Sequence, residues 1–179
     1  MPKLVEPTTR LHESFLAAMN DFIAEGRGAP DEESVLARDI RQFSARWSTP
    51  DGFGDFVETL AREGDPAVPP SPGLVHSTTY WWAEGEDYLG SIRIRHSLTK
   101  HLLEVGGHIG YDIAPRARHR GHGTAMLRAA LPIASALGVN PALITCDDDN
   151  VGSRKIIEFC GGVLDDQRHG KLRFWVRTC

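Results

Sequence analysis

At 179 residues, 41% of them hydrophobic, the chain is long enough to bury the core of one domain, so a single domain over residues 1–179 is expected. Acidic residues outnumber basic ones 24 to 20, and a formal charge of -4 gives no electrostatic footprint for nucleic acid and suits a cationic amine better. No apolar run reaches bilayer length, and three cysteines with no spaced framework or leader pattern suggest a reducing cytoplasm.

Leu4 and Val5 suggest a short first strand. Leu11, Phe15, Met19 and Phe22 then recur at helical spacing until Gly26 and Gly28 interrupt them. Leu36, Ile40, Phe43 and Trp47 make a second stripe, and Phe53, Phe56, Val57 and Leu60 a third that stops at Gly64; stripes of this kind face a core. Pro66, Pro69, Pro70 and Pro72 force an extended loop before Gly73. Beyond it the period changes. Residues 74–83 and 88–98 are rich in β-branched and aromatic side chains, with Glu84-Gly85-Glu86-Asp87 as the turn between them. Residues 97–107 form a longer connection, either a plain surface loop or a cover over the substrate side, and a third strand ends at Ile113. A helix from Thr124 to Leu137 carries Leu127, Leu131, Ala134 and Leu137 on one face and is expected to kink at Pro132. A strand over 142–146 follows, and Val163-Leu164 with 172–176 closes the chain as a hairpin around Arg168-His169-Gly170. Composition and order alone give an α+β fold.

The most informative stretch is Ile109-Gly110-Tyr111-Asp112-Ile113-Ala114-Pro115-Arg116-Ala117-Arg118-His119-Arg120-Gly121-His122-Gly123-Thr124. It reads as an apolar strand, a basic turn with two glycines and a helix start, where main-chain N–H groups converge on a phosphate at the positive end of the helix. No Lys follows Gly123, which excludes a P-loop, and Met126 stands where the dinucleotide fingerprint needs its third glycine. A second element, residues 143–162, runs from a short apolar strand through Asn150-x-x-Ser153, which opens a helix, to Gly161-Gly162, which closes it.

Arg-x-x-Gly-x-Gly in the first element resembles motif A of the GNAT superfamily of acyl-CoA-dependent N-acyltransferases, and the second element resembles its motif B. The likeness extends over roughly residues 74–176. Residues 104–111 and 143–147 are similar to a bacterial-type branch of predicted acetyltransferases. The resemblance implies a mixed, mostly antiparallel sheet with helices on both faces and a splayed central cleft, here between the strands ending near Ile113 and Cys146. It also implies an acetyl-CoA-dependent N-acetyltransferase in which the amine of a small molecule or peptide attacks the thioester directly. Main-chain groups of Tyr111, Asp112 and Ile113 would pair with the pantetheine amides. Arg118, His119, Arg120, Gly121, His122, Gly123 and Thr124 would hold the pyrophosphate, and Asn150 and Ser153 would contact the cofactor from the second arm. A role for Asn150 as a plain helix cap is equally open. No nucleic-acid or membrane partner is implied, and a homodimer is compatible with the likeness.

The tyrosine that some members place seven residues after the Asn is replaced here by Ile157, and the glutamate that others place five residues before it is replaced by Thr145. His108 and Glu104, which flank the start of the cofactor strand, are therefore the candidates for the base, against the alternatives of a bonded strand histidine and a solvated loop charge. Tyr111 is either a proton donor or a packed aromatic. The missing tyrosine also leaves an acyl-CoA-binding sensor without turnover as an alternative function. No metal is expected: Asp147, Asp149, Gly152 and Glu158 imitate a calcium loop, but Val151 offers no ligand and a helix runs through the loop, while the arginines around His119 and His122 repel zinc. Cys146 and Cys160 read as small buried residues.

Overall fold

In the computed structural model, which describes residues 1–179, seven strands form one sheet in the order β1-β2-β3-β4-β5-β7-β6. The strands are β1 (Lys3–Val5), β2 (Ser77–Glu84), β3 (Asp87–Arg95), β4 (Ile109–Ile113), β5 (Ala142–Asp147), β6 (Val163–Arg168) and β7 (Lys171–Val176). Every neighbouring pair is antiparallel except β4 with β5. Helices α1 (His12–Ala24), α2 (Val35–Trp47) and α3 (Pro50–Glu63) pack on one face, and α4 (His122–Ala136) and α5 (Val151–Phe159) on the other.

The alternation of strand side chains divides the apolar residues between two cores. Trp81 joins Phe15, Phe22, Trp47, Phe53 and Phe56 beneath α1–α3. Its neighbour Trp82 joins Ile92, Ile94, Met126, Leu127 and Phe174 beneath α4. Adjacent tryptophans thus serve opposite faces of one sheet. The three helical stripes lie where their periodicity predicts, each with its apolar side buried. Ser34 Oγ accepts the Ala37 N–H at 3.1 Å to cap α2, and Thr49 Oγ1 caps α3, whose first residue is Pro50.

Three boundaries differ from the expectation. β2 starts at Ser77 and β3 ends at Arg95, because the His96 N–H turns to the His76 carbonyl and closes the hairpin there. α4 starts at His122 rather than Thr124, since the left-handed Gly121 (φ 80°) supplies its N-cap. The helix also continues past Pro132 as one element; Pro132 and Arg128 are both exposed, so water can take the carbonyl that the missing N–H leaves free.

The β4–β5 ladder consists of the single pair Ile109 with Ile144. Gly107 fixes the point where it starts: its φ is 64°, and a Cβ there would stand 2.6 Å from the Leu143 carbonyl oxygen, so only glycine lets the two backbones approach this closely. A wide helical turn, Leu102–Gly106, packs beside the junction, tied down by Thr145 Oγ1 donating to the Val105 carbonyl at 2.8 Å. Past Ile109 and Ile144 the strands part.

Candidate active site

A cavity of about 630 Å³ occupies the gap and extends from α1–α3 through the sheet to α5. On one side it reaches Asp39, Arg93 and Arg95; Tyr111, Cys146 and Ser153 line it on the other. The turn Leu102–Gly106 contributes Leu102, Val105 and Gly106, so the connection over 97–107 is a wall of the cavity and not a free loop.

Even-numbered positions flanking and within β4 bond to β3, with His108 O accepting from Arg95 N and Ala114 N donating to Leu89 O. By the antiparallel alternation, the main-chain groups of Tyr111 and Ile113 turn toward the gap and those of Asp112 do not. Asp112 is thus corrected: its backbone is spent on β3, while its side chain enters the cavity. The Ile113 carbonyl is taken by Arg118 Nε at 3.3 Å, which leaves Tyr111 with the freest main-chain groups.

Immediately past β4, none of the N–H groups of residues 119–124 has a hydrogen-bond partner in the protein, and Gly121 caps α4 with no side chain. The left-handed His119 (φ 62°) and Gly121 (φ 80°) turn these donors into a concave row at the helix N-terminus. A Cβ on Gly121 would meet nothing of the protein, so the space in front of the row is open. Such a row fits a pyrophosphate. Arg118, however, is committed elsewhere: its guanidinium forms a bidentate pair with Glu25 at 2.9 and 2.9 Å and lies over the Phe22 ring. The cation left for a phosphate at this turn is Arg120, which is exposed and unpaired. His122 Nδ1 accepts from Trp82 Nε1 at 3.2 Å, anchoring the turn to β2.

Across the gap, Asn150 Oδ1 caps α5 by accepting the Ser153 N–H at 2.9 Å, the capping alternative raised for it, and Ser153 Oγ meets the Tyr111 hydroxyl at 2.8 Å. Burial pushes the Tyr111 phenol well above its ordinary pKa, against the lesser opposing effect of the Ser153 bond. The Asp112 carboxyl is likewise raised by burial, although Arg27, 3.0 Å away, pulls it down. Arg27 also pairs with Glu32, which accepts from the Ser34 hydroxyl.

A model of the acetyltransferase (GNAT) domain matches residues 34–163, most of the chain and both arms of the cavity. The chain belongs to the GNAT family of acetyltransferases. No curated protein sequence matches it. Among solved structures it is similar to RimJ of Mycobacterium smegmatis in complex with CoA-disulfide (TM-score 0.66, 13% identity, 98% of this chain and 81% of that one). It is similar also to the microcin C7 self-immunity acetyltransferase MccE in complex with acetyl-CoA and AMP (0.64, 13%, 98% and 92%). A third is the PaiA N-acetyltransferase of Thermoplasma acidophilum in complex with coenzyme A (0.59, 10%, 99% and 99%). At these identities the likeness is one of fold.

In this GNAT chain, Ile157 is fully buried in the core under α4, so its position can hold no acid. His108 and Glu104, the two expected bases, are not among the residues that line the cavity. His108 Nδ1 accepts the Leu143 N–H at 2.9 Å and its own N–H returns to Leu143 O at 2.7 Å, which makes it a strand clip. Glu104 pairs with Arg168 at 3.0 and 3.2 Å on the outer hairpin. Asp147 of the calcium-like segment is ion-paired with Lys171, and Asp148 accepts from Gln167 at 2.7 Å. The Asp112–Arg27 pair was not foreseen, since the two residues are 85 positions apart and Gly26-Arg27-Gly28 reads locally as a helix stop.

Proposed function

We propose that this acetyltransferase moves an acetyl group from acetyl-CoA to the primary amine of a small molecule or peptide by direct attack. The observation that carries the reading is the row of unpartnered N–H groups over 119–124 beside a cavity that crosses the sheet. Acetyl-CoA supplies a thioester whose carbonyl carbon bonds to the amine nitrogen as the carbon–sulfur bond breaks. Residues 119–124 and Arg120 hold the phosphates, and the Tyr111 main chain orients the pantetheine arm. Asp112 takes the proton of the attacking amine: its carboxyl faces the cavity and is more basic than usual because it is buried. Tyr111, on the opposite face of the same strand, stays protonated and donates a hydrogen bond to the sulfur as negative charge develops there, and the thiolate that leaves takes its proton from water. His108 and Glu104 have no part in this assignment. Three free thiols, at Cys146, Cys160 and Cys179, suit a reducing cytoplasm, and no helix is long and apolar enough to cross a membrane.

The test is thiol release from acetyl-CoA against a panel of amines, followed by Asp112→Asn and Tyr111→Phe. Each variant should lose about a hundredfold in rate while coenzyme A affinity stays within a few-fold. Asp112 must be ionised to act, so the rate should fall as pH drops through its raised pKa, and Asp112→Asn should remove that acidic limb. Full activity in both variants would take both roles away. Tight coenzyme A binding with no acceptor-dependent release would favour a sensor over an enzyme.

A further inference from the structure

Four arginine and lysine side chains line the cavity, and three of them have a carboxylate. Arg27 has Glu32 and Asp112, Arg93 has Asp39 and Glu63 at 3.1 Å each, and Lys171 has Asp147. Arg95 has none. Its Nη1 donates to the carbonyls of Gly106 and Gly107 at 3.0 and 2.8 Å, while Nε and Nη2 have no partner. Burial, with the like charges of Arg93 and Arg38, lowers its pKa to about 10. Nε and Nη2 are thus donors free to take an anion that enters the cavity.

That anion does not come from the coenzyme. Arg95 adjoins the start of β4, where its N–H bonds to the His108 carbonyl, whereas the phosphate row follows the end of β4. Five residues of strand separate His108 from Ile113, about 17 Å at ~3.3 Å per residue. Arg95 lies on the acceptor side of the sheet with Arg93 and Ser91, and Ser91 is paired with Asp112. Four residues along β3 put Arg95 about 13 Å from Asp112. Between them Gly110, opposite Arg93, has nothing within 4 Å of where a Cβ would stand, so the path along β4 is open.

We infer that the acceptor is an anionic amine, whose carboxylate or phosphate is bound by Arg95 at the far end of the cavity while its nitrogen lies at Asp112. The nitrogen-to-anion span is about 10 Å, the length of an extended peptide of two or three residues or a comparable chain. Polyamines and plain alkylamines are disfavoured because they leave Arg95 unpaired. This rests on the acetyltransferase reading above.

The experiment loads the protein with coenzyme A and titrates ω-amino acids of increasing length, aminoalkyl phosphates, matched alkylamines and matched diamines by calorimetry. Anionic members near the stated span should bind at least about tenfold more tightly than the alkylamine or diamine of equal length, as expected for a charge-assisted pair. Carboxylate and phosphate members tell the two anions apart. Arg95→Gln should erase the preference and Arg95→Lys should retain part of it, with coenzyme A affinity unchanged in both. A role confined to holding the carbonyls of Gly106 and Gly107 would not alter discrimination between amines with and without an anionic group. Equal binding of diamines, an unchanged preference in Arg95→Gln, or no binding of any anionic amine by protein that still binds coenzyme A would overturn the inference. Failure to bind coenzyme A would instead overturn the acetyltransferase reading.

Discussion

Leu143 and His108 exchange two hydrogen bonds, and that exchange decides what His108 is. With Nδ1 accepting from the Leu143 N–H, the ring proton sits on Nε2 and the imidazole is neutral. Burial and then the charge of Arg95 lower its pKa below the ordinary 6.5. The unfolded chain therefore takes up a proton at a higher pH than the folded one, so stability is retained above 6.5 and falls as pH drops from there toward the lowered value. Substituting His108→Asn, whose amide oxygen can replace Nδ1 as acceptor, should flatten the loss of stability in urea unfolding between about pH 7.5 and 5. Part of the slope should persist through His96, whose pKa is lowered by burial and by His76. Identical slopes in wild type and variant would remove His108 from the account. Sequence reasoning gave His108 a chemical role because histidine titrates near neutrality. The partner that spends its ring nitrogen belongs to another strand, 35 residues away, and leaves no local signal.

At the scale of elements, the strand–turn–helix over 109–136 was legible because each of its determinants is local: β-branched residues, then glycines, then an apolar helical stripe. What was not legible is how its charges are divided. Arg118 and Arg120 look equivalent in the sequence, yet Glu25, at the end of α1, takes Arg118 from 93 residues away and leaves Arg120 at the turn. The two glycines also differ. A Cβ on Gly123 would lie 2.5 Å from Ile156 Cδ1, so Gly123→Val disturbs α4–α5 packing as well as any ligand. Gly121 has open space in front of it, and Asn tolerates its left-handed φ where a branched residue would not, which makes Gly121→Asn the cleaner probe. Its coenzyme A affinity should fall by more than about tenfold, as should that of Arg120→Ala at low salt, where the charge contact is least screened. Unchanged affinity in both, measured by calorimetry on folded protein, would refute the phosphate role of the turn.

For the molecule as a whole, the alternating hydrophobic periods dictate the order of helices and strands but not which strands adjoin. Nothing local in residues 109–113 or 142–147 says that they run parallel and share a single bridge; the resemblance to a family implied only that they splay apart. The consequence is a sheet whose middle is its weakest seam. β1–β4 form one continuous antiparallel block and β5–β7 another, and the cavity lies along the seam between them. A coenzyme that bonds to Tyr111 on one side and reaches α5 on the other would join the two blocks, and any ligand that binds only the folded state stabilises it by mass action. At a hundred times its dissociation constant the gain is about 2.7 kcal/mol, which for a chain of this length corresponds to a rise in Tm of roughly 5–10 °C. Amide exchange should slow most in β4 and β5 beyond Ile109 and Ile144, where the ladder is missing, and much less in the β2–β3 hairpin. A melting temperature unmoved by saturating coenzyme A would contradict this, as would protection spread evenly over all seven strands, because a ligand seated elsewhere would have no reason to favour the seam.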